Sequence, residues 1–405
     1  MRAIGLLLAI GCTACPSQSS GHKTSGPPET AAVTPANQPK KAITLKTGAD
    51  QLEAYLPMLR HKRVGLVVNH TSLINKTHLL DTLLARNITV DKILVPEHGF
   101  RGESEAGANV KSSVDARTNI PIISLYGNNK KPKPEDLQGL DVLVFDMQDV
   151  GTRFYTYIST MHYVMEACAE NDKHLIVLDR PNPNGSYFDG PVLEPEHKSF
   201  VGMHPIPIVH GLTIGELAGM INGEKWLKNG VTCPLTVIRM QNYDHDMPYA
   251  LPVKPSPNLP NALSVALYPS LCLFEGAKVS IGRGTHTPYQ VLGSPYYPDT
   301  SFYFIPKPIP GMATKPEFEG QKCYGIDFTK NPIEYKLTLQ PLIHFYEQTK
   351  NKVDFFNSFF ARLAGTKKLQ QQIEAGLSEE EIRKSWQPEL QKYSHMRLKY
   401  LLYPD

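Results

Sequence analysis

The stretch DVLVFDMQDVGTRFYTYISTMHYVMEAC, residues 141–168, reads as a strand, a turn and a helix in succession. Val142–Phe145 is a continuous apolar run that stops at Asp146. A strand that is apolar at every position, rather than every second one, is buried on both faces. Residues 157–170 follow, with Ile158, Met161, Met165 and Cys168 on one helical face. Leu175–Leu178 is a second aliphatic run and ends at Asp179. Buried strands separated by a helix imply parallel pairing, with helices covering the sheet.

The same alternation extends outward. Val64–Val68 ends at Asn69, residues 79–84 read as a helix, Ile93–Val95 leads through Pro96 to Glu97, and Ile120–Ile123 leads to Tyr126. The fold class expected is α/β: a Rossmann-like parallel-sheet domain over 43–225, with a second, smaller α+β domain over 226–405 closing the cleft. In that second part a strand over 231–238 and helices over 338–349, 352–363 and 378–385 are expected, with Ser378 and Glu381 in a capping-box pattern.

The chain has 405 residues, 41% hydrophobic and 20% charged, with a formal net charge of +3. That charge is too small, and too scattered, to argue for a nucleic-acid partner. Arg2 and the short apolar run Ile4–Ile10 precede Gly11-Cys12-Thr13-Ala14-Cys15, which resembles a bacterial lipoprotein signal. Residues 1–15 are therefore expected to be a signal peptide, with Cys12 or Cys15 lipidated. Residues 16–42, with five prolines and Val33 as the one larger aliphatic side chain, are expected to be a flexible tether. Together these imply export to the periplasm or cell surface, touching the membrane only through the anchor. Cys168, Cys233, Cys272 and Cys323 show no CxxC spacing and read as small buried hydrophobes.

Ligands of open parallel sheets bind outside the carboxyl ends of the strands. Four such ends here are polar: Asn69 with His70 and Thr71; Glu97 with His98 and Arg101; Asp146 with Gln148, Asp149, Arg153, Tyr155 and Tyr157; Asp179 with Arg180, Asn182 and Asn184. A single Asp after a strand is commonly a turn former or helix cap. Four together point to a shared cleft. The first turn, Asn69–Ser72, lacks GxGxxG, and no Walker A, HExxH or GxSxG pattern occurs, so no cofactor and no metal are expected. What remains is carboxylates with arginines and aromatic faces, the inventory glycoside cleavage uses. Arg101, Arg153, Arg180 and Arg283 are candidates for pairing with a substrate carboxylate.

Several long stretches carry a family resemblance: VGLVVNHTSL (64–73), LVPEHGFRGESEAG (94–107), DVLVFDMQDVGTRFYTYISTM (141–161), LIVLDRPNPNG (175–185), PIVHGLTIGELAGMINGE (207–224), PSPNLP (255–260) and LFEGAKVSIGRGTHTPYQVLGSP (273–295). The sequence resembles the NamZ-like exo-β-N-acetylmuramidases, bacterial peptidoglycan hexosaminidases. The resemblance implies release of terminal N-acetylmuramic acid from the non-reducing ends of peptidoglycan fragments, in a cleft between two domains. It puts the catalytic acid or acid/base on Glu97. Asp146 and Asp149 are candidates to orient the substrate's acetamido group, or for one of them to be a nucleophile. Arg101, Arg153 or Arg283 would hold the lactyl carboxylate. Asn69, His98, Gln148, Tyr155, Tyr157, Asp179, Arg180, Asn182 and His286 complete the candidate substrate contacts. Glu275 reads either as a loop ion pair or as a site carboxylate. Two other readings compete: a non-catalytic surface lipoprotein that binds muropeptides or sugars, and a metal-dependent cell-wall amidase.

Overall fold

Strands with no polar face can sit only between two layers. The computed structural model, which describes residues 44–100 and 112–405, has them there. The expected signal and tether, and Arg101, lie outside the described residues. The strands are β1 (Arg63–Val68), the hairpin β2 (Leu73–Ile74) and β3 (Thr77–His78), β4 (Thr89–Val95), β5 (Ser113–Val114), β6 (Pro121–Ser124), β7 (Val142–Asp146), β8 (His174–Leu178) and β9 (Leu235–Ile238). The main sheet has the order β5-β6-β4-β1-β7-β8-β9. Every neighbouring pair is parallel except the short β5–β6 edge. From β1 the chain steps outward through β4 to β6, then returns beside β1 as β7. This is the doubly wound order of dinucleotide-binding folds, with its switch point between β1 and β7.

Helices α1 (Leu52–Leu59), α2 (Leu79–Leu84), α3 (Pro134–Leu137), α4 (Tyr157–Glu170) and α5 (Ile214–Gly223) accompany this sheet. Successive strand residues face opposite ways. Val64, Leu66, Val68, Val142 and Val144 pack with Tyr55, Leu59, Leu79 and Leu83 of α1 and α2. Val67, Leu143, Phe145, Leu175 and Val177 pack with Ile158, Met161, Met165 and Leu217 of α4 and α5. The four cysteines are free and buried, Cys168 on the apolar face of α4.

The second part contains α6 (Ala262–Leu271), an antiparallel sheet of order β10-β12-β11 formed by β10 (Val291–Ser294), β11 (Tyr303–Phe304) and β12 (Cys323–Asp327), and helices α7 (Gln340–Gln348), α8 (Phe360–Ala364), α9 (Lys368–Glu374) and α10 (Glu379–Arg397). Ser378 caps α10: its hydroxyl accepts from Glu381 N at 3.3 Å, and its own N–H donates to the Glu381 carboxylate at 2.9 Å.

The helix expected over 378–385 runs on to Arg397 as α10, and two further expectations differ from the structure. The sheet does not end at residue 225, because β9 pairs in parallel with β8 (Leu175 opposite Leu235) and completes the layer. The helix expected over 352–363 forms only as α8. Phe355 and Phe356 are drawn into an extended pairing with Ala277 and Lys278, where Lys278 N donates to Phe355 O at 2.8 Å. Both misreadings arise from pairing between distant segments, which a local pattern does not carry.

The C-terminus returns to the first domain. Tyr403 donates to Asp179 Oδ2 at 2.6 Å and accepts from Met240 N at 2.9 Å. Leu402 N donates to Glu216 Oε1 at 2.8 Å, and His245 sits 2.9 Å from the other oxygen of that carboxylate. Thr44–Asp405 thereby forms one unit.

A buried histidine pair sets an acid limit on this fold. His162 Nδ1 and His204 Nε2 are 3.0 Å apart. Burial pushes the His162 imidazole down to about 4, against the pull of Glu166, and holds His204 well below its ordinary value. The unfolded chain then binds protons that the native one refuses, so stability is complete above about pH 6.5 and falls as pH drops toward 4. For His162 alone the full loss is on the order of 3 kcal/mol. Denaturant unfolding at intervals across this window should show the decline, and His162→Gln should make it shallower, leaving the share that His204 contributes. An unchanged slope in that variant would assign the acid sensitivity elsewhere.

Candidate active site

β4 ends at Val95, and Pro96, with no N–H, cannot extend its ladder. Gly99 N donates back to Pro96 O at 3.1 Å, and both His98 (φ +70°) and Gly99 (φ +71°) are left-handed. That conformation costs a residue with a β-carbon about 1–2 kcal/mol, and such strain gathers at functional sites. The turn brings Glu97 to the wall of a cleft of about 330 Å³, where Thr156, at the start of α4, donates its hydroxyl to Glu97 Oε2 at 2.9 Å.

Aromatic rings form much of the remaining wall. Tyr155 and Tyr157 meet edge to face at 4.7 Å, Tyr155 and Tyr268 at 6.1 Å, and Tyr268 and Tyr289 at 5.0 Å. Burial pushes all four phenols up, so they present neutral rings. A second carboxylate shares the cleft. Glu275 Oε1 accepts from Arg283 Nη2 at 2.7 Å and from the Tyr289 hydroxyl. Burial works against the Arg283 charge, but Glu275 and Tyr289 outweigh it and raise its pKa. Arg283 keeps a quarter of its side chain exposed, and its Nε and Nη1 make no hydrogen bond with the described residues. Flanking glycines allow this placement. Gly282 and Gly284 have φ of +75° and +80°, and a β-carbon on Gly284 would lie 2.7 Å from Lys307 O.

Of the residues expected from the sequence, Glu97, His98, Tyr155, Tyr157 and Arg283 line the cleft. The others do not. Asp146 is fully buried in a bidentate pair with Arg180, Nε to Oδ1 at 2.5 Å and Nη2 to Oδ2 at 2.9 Å. Asp179 accepts from Tyr403, Thr213 and Gly215 N, and burial raises its carboxyl to about 6. Gln148 is spent on the carbonyls of Asp149 and Pro181, and Asn182 on Leu212 O and Asn184 N. Arg153 is fully buried; its two terminal nitrogens donate to the carbonyls of Pro191, Ile206, Leu363 and Ala364, and burial pushes it down to about 9. Its Nε is buried without a hydrogen-bond partner, and Arg153 does not line the cleft, so it presents no donor there to a lactyl carboxylate. His286 is exposed and outside the cleft wall. Asn69 and Asp149 lie near the Tyr157 hydroxyl without lining the cleft, each with one buried polar atom unpaired: Asn69 Nδ2 and Asp149 Oδ1. The Asp149 Oδ2 atom accepts from Gly151 N at 2.7 Å and lies 3.4 Å from His210.

The crevice at the switch point is filled by the chain itself. Ser72 donates its hydroxyl to Asp146 O, and Gln148 N donates to Thr71 Oγ1 at 3.0 Å. Among the described residues, Glu194, Glu196 and His197 bring possible metal-ligating atoms within 4.8 Å of one another. Glu194 is already bonded to Thr366 and Lys368, and none of the three lines the cleft. The sequence reading missed Thr156, Tyr268 and Tyr289. Only their aromatic or hydroxyl character hinted at them, and no local pattern ties them to Glu97.

Residues 64–263 match the family model for the N-terminal part of exo-β-N-acetylmuramidase NamZ, and residues 266–403 match the model for its C-terminal part. The chain belongs to the NamZ family. The peptidoglycan β-N-acetylmuramidase NamZ of Bacillus subtilis (strain 168) is 39% identical over 390 residues, covering 91% of this chain and 93% of that protein. Two crystal structures of DUF1343 family proteins from Bacteroides fragilis are similar throughout. One is 44% identical with a TM-score of 0.84, covering 90% of this chain and 100% of the other. The second is 31% identical with a TM-score of 0.74, covering 89% and 99%. The NamZ division between 263 and 266 keeps β9 with the main sheet, in line with its pairing to β8.

The Asp146–Arg180 pair is structural in this NamZ fold. Asp146→Ala should cost about 3–5 kcal/mol, because it strands a buried guanidinium. Glu97→Gln should stay close to the parent in denaturant unfolding. An Asp146→Ala protein as stable as the parent would refute this assignment.

Proposed function

We propose that this protein is an exo-acting glycoside hydrolase that releases terminal N-acetylmuramic acid from the non-reducing ends of peptidoglycan fragments. The observation that carries the residue assignment is the pairing of Glu97, on its left-handed turn, with Glu275 in one aromatic cleft. Glycosidic cleavage needs an acid at the leaving oxygen and a second group that meets the positive charge developing at the anomeric carbon. Glu97 is the acid, oriented by the Thr156 hydroxyl. Glu275, ion-paired to Arg283, is the second carboxylate and replaces Asp146 and Asp149 in that role. Tyr155 and Tyr157 offer faces for the sugar ring. Arg283 holds the lactyl carboxylate through Nε and Nη1, and a sugar without that group leaves the guanidinium donors unpaired.

Peptidoglycan lies outside the cytoplasm, so the proposal includes export through residues 1–15 and lipid anchoring at Cys12 or Cys15. Metabolic labelling with a clickable fatty acid, compared between Cys12→Ala and Cys15→Ala, identifies the anchored residue. Absence of label from the parent would remove the anchor.

A chromogenic β-glycoside of N-acetylmuramic acid, run beside the glucosaminide and with chelator, tests the activity. Turnover should occur on the muramic substrate, with chelator making no difference. Glu97→Gln should reduce kcat at least a hundredfold, the usual scale of acid catalysis. Arg283→Met should raise KM on the muramic substrate and narrow the gap to the glucosaminide. Binding without turnover would leave a sugar-binding protein, and loss with chelator would favour the amidase.

A further inference from the structure

An exo-acting enzyme holds one terminal sugar, and the rest of its polymer has to leave the cleft along some surface. We propose that the second domain provides that surface: a groove leading from the Glu275–Arg283 pair to Tyr296, which binds the N-acetylated amino-sugar chain on the reducing side of the bond being cut. This rests on the muramidase reading of the Glu97 cleft.

The groove is visible as cavities with shared walls. Glu275 and Arg283 line the cleft and also a second cavity of about 360 Å³. Lys278 and Asp354 line that second cavity and also a third, of about 460 Å³, which reaches Tyr296 and Lys350. Each is comparable in volume to the cleft, so the row has room for a terminal sugar and those that follow. Its floor is rigid. Residues 277–280 pair on one side with Phe356 and on the other with Gly293 of β10.

The lining suits a saccharide. Tyr296 is 68% exposed, the highest of any aromatic side chain among the described residues. Phe318 braces its ring edge to face at 6.3 Å. An exposed, braced ring serves as a platform for the apolar face of a pyranose. Lys278, Lys350 and Glu317 form no ion pair among the described residues, leaving the lysines available to the lactyl carboxylates of successive muramic residues and Glu317 to hydroxyls and acetamido N–H groups. Lys278 and Lys350 are placed to meet the repeated anionic group of a peptide-stripped chain, and Glu317 and Asp354 on the same path to accept from its hydroxyls and acetamido N–H groups.

The test compares kcat/KM on the chromogenic muramic monoglycoside with kcat/KM on peptide-free chains of increasing length and on peptide-bearing fragments, for the parent, Tyr296→Ala and Lys278→Ala/Lys350→Ala. The parent's efficiency should rise with length. Tyr296→Ala should lose about fivefold on the long chains, the scale of one aromatic contact, and nothing on the monoglycoside. The double lysine variant should behave alike, with a loss that shrinks in high salt. No length dependence in the parent, or an equal loss on the monoglycoside, would overturn the groove. A loss confined to peptide-bearing fragments would assign the groove to the stem peptide and also overturn the proposal. Failure of the parent to turn over the monoglycoside would instead refute the muramidase reading, and this inference with it.

Discussion

The Asp146–Arg180 pair closes the crevice where β1 and β7 part, and the placement of the site depends on that closure. In this strand order the gap at the switch point is the natural ligand seat. Here a bidentate ion pair, the Ser72 hydroxyl and the Thr71–Gln148 contact fill it with protein. Two charges removed from water repay their desolvation only when their geometry is good and their remaining polar atoms are met. Arg180 satisfies this with Asp146 and with Leu73 O. With the central crevice occupied, the open space shifts to the end of β4 and the loop before α4. There the second domain can reach it.

That shift explains why half of the cleft comes from beyond residue 255. Tyr155 donates to Pro255 O at 2.9 Å and His70 lies 2.8 Å from Lys254 O, so the sheet's own loops hold the segment entering the second domain. Arg153 ties the carbonyls at the end of α8 to those of Pro191 and Ile206. A guanidinium with four carbonyl partners keeps its charge without a carboxylate, and it fixes α8 against the first domain. Together with the Tyr403–Asp179 contact, these links tie the two walls of the cleft to each other. Catalysis by positioned groups requires that rigidity.

The sheet was legible because burial on both faces leaves a pattern in the sequence itself. The run 142–145 and the stripe of Ile158, Met161, Met165 and Cys168 each state their surroundings directly, and α4 begins at Tyr157 and ends at Glu170 as the periodicity implies. The site was only partly legible. Asn69, Glu97, Asp146 and Asp179 look alike as polar residues after apolar strands, and all four are buried polar groups in need of partners. What distinguishes them is which surroundings the fold delivers: Arg180 to Asp146, Tyr403 to Asp179, the Thr156 hydroxyl at the wall of an open cleft to Glu97. Those partners lie tens or hundreds of residues away. Glu97 carried one local signal, a proline and a glycine forcing a tight turn around it. Glu275 read either as a loop ion pair or as a site carboxylate, and only the fold shows Tyr289 and Arg283 closing over it in the cleft.

Under the proposed mechanism the two cleft carboxylates divide the work of cleavage, and their surroundings differ accordingly. Glu97 receives a neutral hydroxyl from Thr156. Glu275 receives a guanidinium and a phenol on a single oxygen, which leaves Oε2 directed by a carboxylate whose charge is already compensated. Paired acids divide their labour through such differences of surroundings, rather than through chemistry of their own. The neutral tyrosines between them add no charge to either. The asymmetry therefore comes from the second domain, and a chain lacking Arg283 and Tyr289 would retain both carboxylates while losing the feature that tells them apart.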